Sequence, residues 1–205
     1  MSTIKASAER HKAKMQKIKA ARTRMMATKT REKGLVIVHT GPGKGKSSAA
    51  FGMILRCVAH NMPCAVVQFI KGAMATGERD FLTAHFPQAC RFFTAGEGFT
   101  WETQDKDRDT ARAQAGWARA QALIRDTDLR FVLLDEINIA LRYGYLDVDE
   151  VVTFLRREKP LMTHVCLTGR NAPPALVAAA DLATEMTLLK HPFREGIKAQ
   201  PGVEF

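Results

Sequence analysis

Aromatic residues account for only 7% of this 205-residue chain, which has two Trp and two Tyr. Grooves for single-stranded nucleic acid stack bases on aromatics interleaved with cations. The most basic part of this chain, residues 1–33, contains no aromatic at all. No apolar run approaches the roughly 18 residues that span a bilayer. The basic start, MSTIKASAERHKAKMQK, has no apolar stretch behind it, unlike a secretory signal. The four cysteines (Cys57, Cys64, Cys90, Cys166) form no C-x-x-C pair, and no two histidines stand at H-x-x-x-H spacing. Neither a redox motif nor a zinc site is therefore expected, and no Ser-His-Asp set can be assembled. The expectation is a reduced, cytoplasmic setting with buried thiols.

The net charge of +10 is unevenly placed. Residues 1–33 hold 11 Lys and Arg against two Asp and Glu, a net of +9, which leaves +1 for residues 34–205. The chain thus divides into a basic N-terminal arm, 1–33, and a nearly neutral body, 34–205. The arm has good helix formers and lacks Pro and Gly before Gly34. Ile4, Ala8, His11, Met15, Ile18 and Met25 fall on a rough helical stripe interrupted by Arg22. Three readings stay open for it: a solvated extension, a helix docking over a site with an anionic ligand, or a nucleic-acid contact.

The body alternates short apolar runs with helical stretches. Strands are expected at Leu35–Val38, Ala65–Ile70, Cys90–Phe93, Phe131–Leu134 and Thr163–Leu167, with a sixth at Met186–Leu189. Helices are expected at Lys46–His60, Glu78–His85, Asp107–Arg125, Val148–Glu158 (capped by Asp147) and Pro173–Ala180. This alternation predicts one α/β domain, a mostly parallel sheet flanked by helices on both faces.

The first strand runs into Thr40-Gly41-Pro42-Gly43-Lys44-Gly45-Lys46-Ser47-Ser48. A buried strand, a glycine-rich loop and Gly-Lys-Ser opening a helix are what a phosphate loop requires. Backbone N–H groups converge on phosphate oxygens, the helix N-terminus adds partial positive charge, Lys46 adds a full one, and the Ser47 hydroxyl suits Mg²⁺. The common pattern wants glycine where this chain has Thr40, so the loop is one residue short, and it carries an extra cation in Lys44. The fourth strand ends in Asp135-Glu136, two carboxylates at the sheet edge from which the phosphate loop emerges, within reach of Mg²⁺ directly or through water. Lys71 and Arg170, each just past a strand, are further ligand-contact candidates. His39, His60 and His164 read as structural.

Gly-Pro-Gly-Lys-Gly-Lys-Ser-Ser-Ala-Ala-Phe-Gly, together with Val66-Val67-Gln68-Phe69-Ile70-Lys71-Gly72, Gly98-Phe99-Thr100-Trp101-Glu102-Thr103, Leu133-Leu134-Asp135-Glu136, Thr168-Gly169-Arg170 and Leu189-Lys190-His191-Pro192-Phe193, closely resembles the P-loop family of ATP:cob(I)alamin (corrinoid) adenosyltransferases. The resemblance covers nearly the whole chain. It implies a recombinase-like P-loop fold, commonly a homodimer, in which the cobalt of a reduced corrinoid attacks the 5′ carbon of ATP and triphosphate leaves. It implies ATP bound in reverse along residues Thr40–Ser48 with Arg170, Mg²⁺ at Ser47, Asp135 and Glu136, and Lys46 and Glu136 acting in the reaction. It further implies Phe99 and Trp101 against the lower face of the corrinoid, excluding its axial ligand, and an N-terminal segment able to cover that site. It implies a flavoprotein or other reductant as the source of electrons. The family's loop usually has Asn where Pro42 stands and Thr where Ser47 stands; Ser keeps the hydroxyl, whereas Pro42 removes a donor.

The competing reading is a P-loop ATPase or phosphotransferase, with Glu136 activating water and the arm meeting nucleic acid. Deleting residues 1–33 separates the two. A lid is expected to take ATP-dependent corrinoid binding with it on deletion. A nucleic-acid arm instead takes with it a steeply salt-dependent affinity for nucleic acid.

Overall fold

The structure is a computed structural model that describes residues 2–69, 76–95 and 106–204. It divides into two compact units, Met1–Glu32 and Lys33–Phe205. The first contains a single helix, α1 (Ser2–Ala27), with Arg24 in its last turn, where a cation opposes the helix dipole favourably.

The second unit alternates β1 (Val36–Thr40), α2 (Lys46–Ala59), β2 (Cys64–Gln68), α3 (Gly77–His85), β3 (Cys90–Thr94), α4 (Lys106–Arg125), β4 (Phe131–Asp135), α5 (Ile137–Arg142), α6 (Val148–Arg157), β5 (His164–Thr168), α7 (Pro174–Ala179) and β6 (Leu182–Glu185). The strands form one sheet in the order β3-β2-β4-β5-β1-β6, and every pairing is parallel. β1, β2 and β4 are apolar runs buried along nearly their whole length, as strands covered on both faces must be.

Alternation along these strands feeds two cores. Val36, Val38, Ala65, Val67, Val132, Leu134, Val165 and Leu167 face α4, α5, α6 and α7, whereas Ile37, Cys64, Val66, Phe131, Leu133 and Cys166 face α2 and α3. Helix starts are fixed locally: Thr76 accepts the Arg79 amide at the head of α3, and Asp147 accepts the Glu150 amide at the head of α6, caps worth about 1 kcal/mol each. On α4, Ala113, Gly116, Trp117 and Ala120 make the buried stripe. A methyl on Gly116 would lie 2.6 Å from Ala95 Cβ and 3.2 Å from the Phe69 ring, so the missing side chain lets α4 close on the ends of β2 and β3. All four cysteines are buried and free. Burial, and then Cys90, pushes the Cys57 thiol up to about 11, so it is inert at neutral pH.

The sixth strand lies at Leu182–Glu185, not at the apolar Met186–Leu189. It is an edge strand with all four residues exposed, so it needs no hydrophobic run, and Met186 instead turns to hold the phosphate loop. The short α5 immediately after β4 was not expected from the sequence.

Opposite the strand ends that carry the motifs, the other sheet edge is stapled by charge. Lys159 Nζ donates to the carbonyls of Gly34, Pro160 and Thr163, each at 2.9 Å. The Leu35 N–H donates to His164 Nδ1 at 3.1 Å, and Asp181 accepts from the Val36 N–H and pairs with Lys33. Burial, then the charges of Lys159 and Arg130, hold His164 below its ordinary pKa of 6.5. The unfolded chain therefore takes up a proton that the folded chain resists. The stability carried by neutral His164 is complete above about pH 6.5 and declines as pH falls below it. His164→Gln, which keeps an acceptor for Leu35, is expected to give a shallower fall in melting temperature between about pH 6.5 and 5 than the wild type. Identical acid limbs would show that His164 does not carry this dependence.

Candidate active site

The phosphate loop is anchored from below by the chain that follows β6. The Met186 N–H donates to the Thr40 carbonyl at 2.9 Å, and the Gly43 N–H donates to the Met186 carbonyl at 2.7 Å. A methyl on Gly41 would fall 2.5 Å from the Met186 oxygen, and one on Gly43 2.5 Å from the Thr187 oxygen. Gly41 and Gly45 also adopt φ of +98° and +103°, a region that disfavours side chains. Three glycines are thus demanded by two separate constraints, close approach and left-handed backbone. Pro42 lacks an N–H and that of Gly43 is committed to Met186, so neither of these two positions offers an amide to a ligand.

Lys46 opens α2 and is only 7% exposed, its ammonium donating to the Gly43 carbonyl at 2.5 Å. A buried cation must be compensated, and a phosphate is a stronger partner for it than a carbonyl. His39, buried in β1, donates from Nδ1 to the Lys46 carbonyl at 3.3 Å and steadies the first helical turn. Ser47 is half-buried, while Pro42, Lys44, Gly45 and Ser48 are exposed. Lys44 pairs with Glu204 near the C-terminus. Thr40 accepts the Ala172 N–H at 2.9 Å, and a cavity of about 360 Å³ opens beside it, lined by Thr40, Gly41, Pro42, Asn171, Val177 and Glu185 among others.

One strand, β5, separates β1 from β4, so the loop and the acidic pair open onto the same sheet edge. Asp135 is fully buried; its Oδ1 accepts from the Thr168 hydroxyl at 2.7 Å and its Oδ2 from the Gln68 amide at 3.0 Å. Glu136 is different. It leaves the strand with φ +62°, ψ +18°, a left-handed conformation that costs a non-glycine residue about 1–3 kcal/mol. Its N–H donates to the Thr168 hydroxyl at 3.0 Å. Gly169, at φ +131°, leaves room for it: a methyl there would lie 3.2 Å from Glu136 Oε2 and 2.9 Å from Asn138 Cβ. Asn138 is fully buried and bridges the edge, donating to the carbonyls of Gly169 (3.0 Å) and His39 (3.4 Å). Gln68, Thr168 and Asn138 were not singled out from sequence as site residues. Gln68 is a lone polar residue inside the apolar run Ala65–Ile70 and Thr168 directly follows the run Thr163–Leu167, which are the signals the sequence offers for them; Asn138 gave none.

Arg170 follows Gly169 and is exposed at this edge. Phe99, Trp101 and Lys71 lie outside the described residues. Among the described residues, no group of three His, Cys, Asp or Glu side chains stands at metal-binding distances, and no helix is long and apolar enough to cross a membrane.

Lys46→Ala removes the buried ammonium. Charge-assisted hydrogen bonds are worth about 1.5–3 kcal/mol, so ATP affinity is expected to fall about 10- to 100-fold by calorimetry. Unchanged affinity would remove Lys46 from the phosphate site.

Comparison with known proteins shows the family. The family model for ATP:corrinoid adenosyltransferase BtuR/CobO/CobP matches residues 32–205, and one for the cob(I)alamin adenosyltransferase N terminal matches residues 1–26. A corrinoid adenosyltransferase of Sinorhizobium sp is 68% identical over 96% of this chain and 92% of its own length. One of Pseudomonas aeruginosa is 50% identical over 96% of both chains. A corrinoid adenosyltransferase of Salmonella typhimurium is 39% identical over 97% of this chain and the whole of its own. The short phosphate loop and the acidic strand thus lie inside a match that runs through residues 32–205, and the chain belongs to the ATP:corrinoid adenosyltransferase family.

Proposed function

We propose that this chain joins the 5′ carbon of ATP to the cobalt of a reduced corrinoid. The electron pair of Co(I) forms the cobalt–carbon bond as the C5′–O bond breaks, and its electrons leave with triphosphate. The observation that carries the reading is the phosphate loop itself, one residue short, with the Gly43 amide turned away to Met186. A loop shortened in this way holds a triphosphate differently from the standard one, and the family likeness assigns it the triphosphate as leaving group. The nucleophile is the substrate's own metal, so the protein needs no Ser, Cys or His nucleophile. Its tasks are alignment and neutralisation of the departing charge.

Lys46 and the backbone N–H groups at the head of α2 neutralise that charge, helped by Lys44 once it exchanges Glu204 for phosphate. Arg170 is a further phosphate contact. The donor set fits Mg²⁺: the Ser47 hydroxyl and the Glu136 carboxylate are hard oxygens, and Mg²⁺ bound to nucleotide uses one or two carboxylates with waters and phosphate oxygens. When bound there, Mg²⁺ supplies positive charge to the leaving oxygens. Asp135, with both oxygens engaged, serves this site from behind or through water.

The roles of Phe99 and Trp101 at the lower corrinoid face follow from the family likeness, as do a homodimer, a flavoprotein or other reductant as electron donor, and α1 as a lid. Four free, buried thiols accord with a cytoplasmic setting.

The test is an anaerobic reaction of the protein with Mg·ATP and chemically reduced cob(I)alamin. Adenosylcobalamin with triphosphate is the expected outcome; unchanged Co(I) with ADP and phosphate would make the chain an ATPase. In the same assay Trp101→Ala is expected to bind ATP normally and to lose more activity from Co(II) with a reductant than from Co(I). Equal losses would remove the axial-ligand role.

A further inference from the structure

β4 ends at Asp135, Glu136 follows directly, and one buried hydroxyl bonds to both residues. Thr168 closes β5, the strand lying between the phosphate-loop strand and the acidic strand. It is fully buried. A hydroxyl has one proton and two lone pairs. Here the proton goes to Asp135 Oδ1 at 2.7 Å, and a lone pair receives the Glu136 N–H at 3.0 Å. The Gln68 amide, across from Asp135 in register on β2, holds the second carboxylate oxygen at 3.0 Å. With both oxygens fixed, Asp135 cannot rotate away from Thr168, so the direction of the hydroxyl is fixed too.

This matters because Glu136 is the residue with a strained backbone. Its peptide must turn left-handed to leave the strand and start α5, and the Thr168 hydroxyl is the side-chain group that receives its N–H. The next residue on β5, Gly169, is the one that makes room for the Glu136 carboxylate. Thr168 and Gly169 thus set the backbone and the space of the same residue from one neighbouring strand.

We propose that Thr168 is a positioning residue for adenosyl transfer. Its hydroxyl, oriented by Asp135, holds the Glu136 peptide in its left-handed turn and thereby directs the Glu136 carboxylate to the Mg²⁺ of the nucleotide complex. The inference rests on the reading of Glu136 as a metal ligand.

Thr168→Val keeps the shape and removes the hydroxyl; Thr168→Ser keeps the hydroxyl; Thr168→Ala repeats the loss with a smaller side chain in case the Val protein does not fold. Amide hydrogen exchange at Glu136 in metal-free protein is read first, then ATP affinity with and without Mg²⁺, then kcat and KM. Loss of the hydrogen bond from the Glu136 N–H predicts up to about tenfold faster exchange at Glu136 in the Val and Ala proteins and an about tenfold higher Mg²⁺ requirement. In both, kcat is expected to fall while KM for ATP and metal-free ATP affinity stay within about twofold of wild type, the phosphate loop being untouched. The Ser protein is expected to match the wild type in all of these. Wild-type exchange and Mg²⁺ response in Thr168→Val overturn the proposal, as does a Ser protein as impaired as the Val protein, which would assign the effect to packing. Wild-type ATP binding indifferent to Mg²⁺ would overturn the metal reading of Glu136, and the proposal's aim with it, even where the exchange result stands.

Discussion

Every strand pairing in the sheet is parallel, and most of the molecule follows from that constraint. Parallel strands deliver all their C-terminal ends to one edge, so Thr40, Gln68, Asp135 and Thr168 arrive side by side although they are far apart in the chain. They also require each connection to recross the sheet, which places helices on both faces and explains two separate cores. The six-stranded order puts β1 inside the sheet, with β5 on one side and the exposed β6 on the other. The phosphate loop therefore rises from a strand supported on both flanks, and the chain leaving β6 is available to clasp it through Met186.

Both ends of the strands in this sheet gather charge. At the edge away from the motifs, charges are satisfied within the protein. Lys159 is held below its ordinary pKa, by burial first, and its ammonium faces three carbonyls. Burial pushes Asp181 up, but its bonds from Lys33 and the Val36 amide outweigh that and hold it below the usual carboxylate range. At the motif edge the cations lie on the loop itself: Lys46 donates to the Gly43 carbonyl and Lys44 is paired with Glu204 near the chain's end. In the proposed function an anionic ligand takes over these contacts.

Much of this was legible in the sequence, for reasons that particular residues make clear. The inner strands β1, β2, β4 and β5 appear as apolar runs because they are covered on both faces, and the helix that begins at Lys46 is announced by its glycines and lysine. β6 was displaced by a few residues because an exposed edge strand carries no apolar signature, while Met186–Leu189, apolar in sequence, includes Leu189 at 91% exposure. α5 is six residues long, too short for a period to show. The shortened loop was visible as Thr40 in place of glycine. The clasp that turns the Gly43 amide away was not, because it depends on a partner more than 140 residues along the chain.

The sequence pair Asp135-Glu136 shows how far adjacency misleads about role. Residues next to each other on a strand point to opposite faces, so two carboxylates in a row cannot share a task while the strand continues. β4 ends between them. Asp135 is still part of the strand and is fixed from β2 and β5, with no exposed surface. Glu136 has already left it through a left-handed turn that an ordinary residue adopts only when its surroundings insist. The insistence comes from Thr168, which takes its amide, and from Gly169, which yields space. The acidic pair at this strand end therefore divides into one carboxylate held in the framework and one that has left the strand, the latter being the ligand-facing one in the proposed function. The boundary between them is drawn by the neighbouring strand, not by the acids themselves.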